Sequence, residues 1–133
     1  MGLDLGTKTI GVSLSDLNWL IATPLETIMR KKFTIDAVRL LKIIDKHEVK
    51  GLVIGLPRHM NGSEGPRAQS TRAFVRNLQG RLSIPILLWD ERLTTIAAER
   101  VLLDAKLSRT KRAKVIDKVA AAIILQCVLD ACN

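Results

Sequence analysis

Two uninterrupted apolar runs of strand length, Lys50 to Gly55 (KGLVIG) and Ile84 to Trp89 (IPILLW), constrain this chain more than any other feature. Such runs suit strands buried on both faces, as happens in parallel sheets covered by helices. Stretches of helical length precede each of them. Thr34 is the expected N-cap of a helix running to about Lys46, with Val38, Leu41 and Ile44 on one side. Pro66, at a first helical position, opens a second helix to about Gln79. Ahead of all these, Met1 to Leu5, Thr9 to Ser15 and Ala22 to Met29 are short alternating segments that predict a strand meander, the first two parted by Gly6-Thr7-Lys8. Two further helices are expected, at about Thr95 to Asp104 and Ala113 to Asp130. Three strands, then helix, strand, helix, strand and a helical end make a mixed α/β sheet covered by helices. Its later strands are joined by crossovers long enough for parallel pairing.

With 133 residues and 47% hydrophobic content, the chain has material for one core, since domains most often run to roughly 100 to 150 residues. One domain over residues 1–133 is expected, and no repeat, low-complexity stretch or linker divides it. Lysine and arginine total 21 against 13 acids, for a formal charge of +8 and a sequence pI near 10.0. That balance draws a polyanion such as nucleic acid. An anionic membrane surface would also serve, and basic charge also keeps a small protein soluble. No run approaches the roughly 20 apolar residues of a membrane span, and the N-terminus lacks a secretory pattern, so a cytoplasmic protein without a membrane partner is expected. Cys127 and Cys132 lie five apart on different helical faces and match no zinc or redox motif. His47 and His59 have no partner at ligand spacing and read as structural or solvated. Two loops stand out. Leu56 to Gly65 (LPRHMNGSEG), which carries Arg58, is long for so small a domain, and such loops are often functional or mobile. Lys106 to Arg112 (KLSRTKR) has four basic residues among its seven, either a solvated run or a phosphate contact.

Three acids are candidates for chemistry. Asp4 sits in GLDLGTKTIG and shares its strand face with Gly2 and Gly6, which leave the carboxylate unshielded. Glycines beside an acid weaken a strand and are better explained by close approach of a metal, phosphate or backbone; a local turn bond is the plainer alternative. Asp90 and Glu91 follow directly on the IPILLW run, at the strand end where open α/β sheets bind ligands. Adjacent acids in extended chain point to opposite sides, so one of the two faces the site, and Asp90 has the alternative of capping the next helix or pairing with Arg92. Asp117 stands in KVIDKVAAAIILQCVLD, a helix apolar nearly all round, with Ala120, Ala121 and Ile124 following on its face. A carboxylate at such a border is costly unless paired, hydrogen-bonded or metal-bound, although the first helical turn also favours an acid.

Together Asp4, Glu91 and Asp117 offer the hard oxygen ligands that Mg²⁺ or Mn²⁺ takes, and two such ions about 4 Å apart can activate a water and stabilise a leaving oxygen. Lys8, Arg58, Arg92, Arg109, Lys111 and Arg112 are the expected contacts to a nucleic-acid backbone, or else plain surface cations.

In order and spacing GLDLGTKTIGVSLSD, VIGLPRHMNGSEGP, LLWDERLTT and KVIDKVAAAIILQCVLD resemble the bacterial YqgF/RuvX family across essentially the whole chain. The resemblance implies a ribonuclease H-like fold, with a five-stranded mixed sheet in order 3-2-1-4-5 and flanking helices. It maps the family's catalytic acids onto Asp4, Glu91 and Asp117. Wider resolvases carry an acid after the fourth strand, where this chain has Gly55-Leu56-Pro57, so Glu91 on the neighbouring strand has to supply it. The chain begins three residues before Asp4, which makes a short first strand or an internal start the expectation. Two substrates are implied, a four-way DNA junction or the precursor of small-subunit ribosomal RNA, with the role leaning to the RNA's 5′ end and pre-ribosomal particles as partners. A junction resolvase would be a homodimer making paired cuts. The DLGTK segment is also similar to the phosphate hairpin of actin-like and sugar-kinase ATPases, which need a second domain. The third alternative is a module that holds nucleic acid without cutting it.

Overall fold

The computed structural model describes residues 1–94 and 109–133, with side chains of the second stretch described from residue 116. β1 (Gly2–Leu5), β2 (Thr9–Ser15) and β3 (Ala22–Met29) form the meander; α1 (Phe33–Lys46), β4 (Leu52–Leu56), α2 (Pro66–Gln79) and β5 (Ile86–Asp90) follow. After a 3-10 turn at Glu91–Leu93 comes a long helix, α3 (Arg109–Cys132). The sheet order is β3-β2-β1-β4-β5. The meander pairs are antiparallel, whereas β1 with β4 and β4 with β5 are parallel, each joined through a helix. The expected mixed sheet in order 3-2-1-4-5 is therefore borne out.

The two sheet faces carry different side chains. Leu3, Leu5, Ile10, Val12, Leu52 and Ile54 form the larger core, covered by Ala37, Leu40, Ile43, Phe74 and Leu78 of α1 and α2. The opposite face carries Gly2, Asp4, Gly11, Ser13, Val53 and Gly55, and α3 lies on it through Ala120, Ile124, Leu125, Val128 and Leu129. Small residues bring that helix close. A Cβ on Gly2 would stand 2.8 Å from Leu125 Cβ and 2.9 Å from the Ala121 carbonyl oxygen, which accounts for glycine where a strand would otherwise reject it.

Several local expectations are corrected. Lys32, not Thr34, occupies the N-cap of α1 and makes no side-chain cap bond; the Asp36 carboxylate accepts the Lys31 backbone N–H at 3.0 Å instead. The buried stripe of α1 runs through Ala37, Leu40, Ile43 and Ile44, so of the expected side Ile44 is buried and Leu41 half-buried, while Val38 is 47% exposed. β5 starts at Ile86 and not Ile84, because Pro85 has no N–H for a ladder. It is an edge strand, and Leu87 is 48% exposed, so IPILLW is not buried on both faces. α3 begins at Arg109, placing the end of the expected basic loop on a helix; the helix expected at Thr95 to Asp104 lies outside the described residues. Among the described residues no helix is long and apolar enough to cross a membrane.

Candidate active site

Register and glycine placement build the site around Asp4. In the antiparallel ladder Asp4 stands opposite Gly11, and the parallel register of Gly2 with Val53 and Leu3 with Ile54 brings Asp4 level with Gly55. On the α3 face a carboxylate is thus flanked laterally by two positions without side chains. Each gap is filled by another acidic residue. A Cβ on Gly11 would lie 1.9 Å from the Asp117 carbonyl oxygen, so the α3 backbone at Asp117 rests directly on β2. A Cβ on Gly55 would lie 2.7 Å from Glu91 Oε1, so the Glu91 carboxylate reaches back over β4.

Asp117 is half-buried, and its Oδ2 accepts the Thr9 hydroxyl at 2.5 Å, two residues along β2 from Gly11. That bond fixes the carboxylate on the Asp4 face, since Thr9 and Gly11 share a side of the strand. Asp4 itself is buried, at 4% exposure, where two neighbouring glycines led to the expectation of an unshielded group. Gly2 and, across the ladder, Gly11 let α3 down onto the sheet, and the helix covers the acid, whereas Gly6 meets only Thr9 in the turn.

Glu91 and Asp90 separate as their alternation predicts. Asp90 Oδ1 accepts the Arg92 backbone N–H at 2.9 Å and caps the short turn, and its Oδ2 receives Arg92 Nη2 at 2.7 Å. Held in this way, the turn sends Glu91 towards Gly55. The Arg92 hydrogen bonds, led by the side-chain fork, hold the Asp90 carboxyl below its ordinary value of 3.8. A lowered folded pKa stabilises the fold above the unfolded value and loses that contribution as pH falls through the folded one. The stability gap between wild type and Asp90→Asn, read from urea unfolding, should therefore hold steady above the ordinary carboxyl range and shrink as pH falls below it. A gap indifferent to pH would contradict the pairing.

The expected backbone contacts fare differently. Lys8 is exposed in the turn at the carboxyl end of β1, beside the acids. Arg58 and Arg92 both lie against Asp90, with Arg58 Nη1 at 3.7 Å, and Arg58 also faces Glu64 at 3.5 Å. Arg92 Nη1 further donates to the Met60 carbonyl at 3.2 Å, and Arg72 clasps Glu64 at 2.6 Å, so the 56–65 loop is tied to its surroundings at both ends. Arg109, Lys111 and Arg112 fall on the first turns of α3, with side chains outside the description. Sequence reasoning missed Thr9, Gly11 and Gly55. Counting a tight β1–β2 hairpin back from a two-residue Thr7-Lys8 turn, closed by Gly6 and Thr9, would have put Gly11 opposite Asp4.

A divalent ion fits this strip chemically: three carboxylate-bearing residues on one side of the sheet supply hard oxygen donors, and Thr9 already orients one of them. Among the described residues no three acidic, histidine or cysteine side chains stand gathered at coordinating distance, so binding an ion would draw these carboxylates together.

A protein-family model described as "RuvX: Holliday junction resolvase" matches residues 1–131. A curated relative from Roseobacter denitrificans, named "Putative pre-16S rRNA nuclease", is 62% identical over 132 residues, 98% of this chain and 81% of that one. Another of the same name, from Methylocella silvestris, is 59% identical over 130 residues, 98% of this chain and 81% of its own. Among solved structures, Thermus thermophilus RuvC in complex with a Holliday junction substrate superposes with a TM-score of 0.65 at 12% identity, over 98% of this chain and 92% of that one. A second Thermus thermophilus RuvC structure gives 0.57 at 13% identity, over 98% and 93%. At such identities the likeness establishes the fold, which is ribonuclease H-like.

Proposed function

The chain belongs to the RuvX Holliday junction resolvase family, and from that premise we propose that it is a metal-dependent endonuclease acting on the 5′ end of precursor small-subunit ribosomal RNA. The observation that carries this reading is the flanking of Asp4 by Glu91 over Gly55 and by Asp117 over Gly11. Names carried by relatives about 60% identical favour the RNA as substrate. In this reading residues 1–133 are one nuclease domain working in the cytoplasm on pre-ribosomal particles.

Asp4, Glu91 and Asp117 would hold Mg²⁺ or Mn²⁺, which when bound supplies Lewis acidity at the phosphate and lowers the pKa of a coordinated water. The chain's own contribution is position. Asp4 is fixed by its central strand, Glu91 by the turn that Asp90 caps, and Asp117 by the Thr9 hydroxyl. Ligands restrained on three separate elements would have little further to move once an ion had drawn them together, which leaves little reorganisation for the transition state. Lys8, exposed at the same end, and the net charge of +8 draw the phosphate backbone to the strip.

The family's own description favours a second reading, a resolvase cutting four-way DNA junctions as a two-fold dimer. One experiment separates them: purified protein is incubated with labelled precursor RNA and with a synthetic four-way junction, each with and without Mn²⁺. Ion-dependent cutting near the RNA's 5′ end is the expected result. Symmetric paired nicks on the junction alone would transfer the assignment to DNA, and binding of either without cutting under any ion would reject the nuclease.

A further inference from the structure

At the carboxyl end of the sheet most charges are already answered. Arg58 and Arg92 face Asp90, and Arg72 faces Glu64. Arg30 and Arg67 are different, because among the described residues neither has a carboxylate within ion-pair distance. Arg30 Nη1 donates instead to the Gly6 carbonyl at 2.6 Å, and Arg67 Nη2 to the Leu5 carbonyl at 2.9 Å. Both guanidinium groups are thereby fastened to consecutive carbonyls where the central strand ends. Arg30 also lies over the Phe74 ring, 5.5 Å from its centroid. A guanidinium held by a hydrogen bond and an aromatic face has less side-chain entropy to lose on meeting a ligand.

The two arginines line a cleft of about 240 Å³, together with Gly6, Thr7, Ser70 and Phe74. That volume falls below the roughly 300 to 1,000 Å³ of sites that take whole small molecules. It leaves room for a phosphate together with part of the backbone that carries it. Two planar forks match phosphate oxygens geometrically, and hydroxyls at Thr7 and Ser70 add neutral donors. The first turn of α2, at Pro66 and Arg67, forms one wall and adds the positive end of the helix to the charge the arginines supply.

Position relates the cleft to the acids. It opens beside the Gly6–Lys8 turn, towards α2, whereas Asp4 faces α3 from the same strand. Gly6 follows Asp4 by two residues, about 7 Å of extended chain. Each charge of one strand rises only about 3.4 Å along the helix axis, but the backbone winds around that axis, so a separation on this order in space is about one nucleotide step. We infer that the Arg30/Arg67 cleft is a second phosphate subsite, which grips an uncut backbone phosphate next to the one at Asp4. The inference rests on the nuclease reading. Under it a substrate strand runs from the acid strip over the Gly6–Lys8 turn and into the cleft.

The test is affinity against KCl concentration for labelled precursor RNA and for the four-way junction, with the full chain and divalent ions chelated. Arg67→Gln should weaken binding roughly tenfold at low salt, equally across sequences, and reduce the slope of log affinity on log salt by about 0.7 to 0.9. Arg67→Lys should restore the slope, because it returns the charge without the fork. Arg30→Gln should act in the same direction, with thermal unfolding used to confirm that loss of its Gly6 bond leaves the fold in place. An unchanged slope in both glutamine variants, in a protein whose wild type binds and cuts, overturns the subsite and leaves the nuclease standing. Inorganic phosphate alone, followed by the Nε–H resonances of the two arginines, supplies the remaining arm. Shifts there without any change of slope would assign the cleft to a free anion and likewise overturn the inference. A wild type that neither binds nor cuts either nucleic acid removes the nuclease reading and this subsite together.

Discussion

Asp4→Asn should lower Mn²⁺-dependent cleavage by roughly a thousandfold, equivalent to about 4 kcal/mol of transition-state stabilisation, while the protein remains folded. The substitution keeps the shape of the side chain and one acceptor oxygen, and removes the charge that would hold an ion. Geometry makes Asp4 the most sensitive of the three acids. It sits on the central strand with Gly11 and Gly55 level on either side, so Glu91 and Asp117 are both placed relative to it. Loss of Glu91 or Asp117 would still leave two carboxylates, whereas loss of Asp4 leaves two that approach from opposite flanks. Thermal unfolding gives a readout independent of turnover. Mn²⁺ binding to the folded state alone should raise the midpoint of the wild type, and Asp4→Asn should lose most of that rise. Cleavage within tenfold of wild type, at an undiminished response to Mn²⁺, would remove Asp4 from the centre of the site.

How far the sequence disclosed this arrangement depends on which property each residue expresses. The run KGLVIG reads correctly as a doubly covered strand, because β4 has a neighbour on each side and helices on both faces. IPILLW is more apolar still, yet Leu87 is exposed. Edge position is a property of sheet order, and only the family resemblance spoke to that order. In α1, Val38 and Ala37 differ by one residue and by about 100° of rotation. The true stripe contains a small alanine that an apolar count undervalues. At the site, alternation separated Asp90 from Glu91 but could not decide between them. The decision came from Arg92, whose backbone and side chain both bind Asp90 and so commit it to the turn. The burial of Asp4 escaped local reasoning for a similar reason. A glycine beside an acid signals that something comes close, and Gly2 does not say that it is the final helix of the same chain, more than 110 residues away, while Gly6 meets only Thr9.

The two flanking glycines should respond differently to one added methyl group, and the difference tests how the acids are held. Alanine at position 11 puts its Cβ 1.9 Å from the Asp117 carbonyl oxygen and 2.3 Å from the carbonyl carbon, which are backbone atoms of a helix packed along the sheet. Carbon atoms at ease stand about 3.5 to 4.0 Å apart, so α3 must move outward as a body. Replacing a strand glycine by alanine gains about 0.5 to 1 kcal/mol of backbone entropy, and overpacking of this kind costs about 1 to 3 kcal/mol or more. The clash prevails. Gly11→Ala should lose about 2 kcal/mol of stability in urea unfolding, and cleavage should fall about 100-fold as Asp117 is carried away from Asp4. At position 55 the obstructing atoms are Glu91 Oε1 at 2.7 Å and Ile124 Cδ1 at 2.6 Å, both ends of side chains that can turn aside. Gly55→Ala should therefore change stability by less than about 1 kcal/mol. It should still lose about 100-fold in cleavage, because the Glu91 carboxylate is the group that turns. Full activity in Gly55→Ala would mean that Glu91 works from elsewhere. Unchanged stability in Gly11→Ala would mean that α3 does not rest on the sheet at Asp117, and the third acid would lose the contact that brings it to the other two.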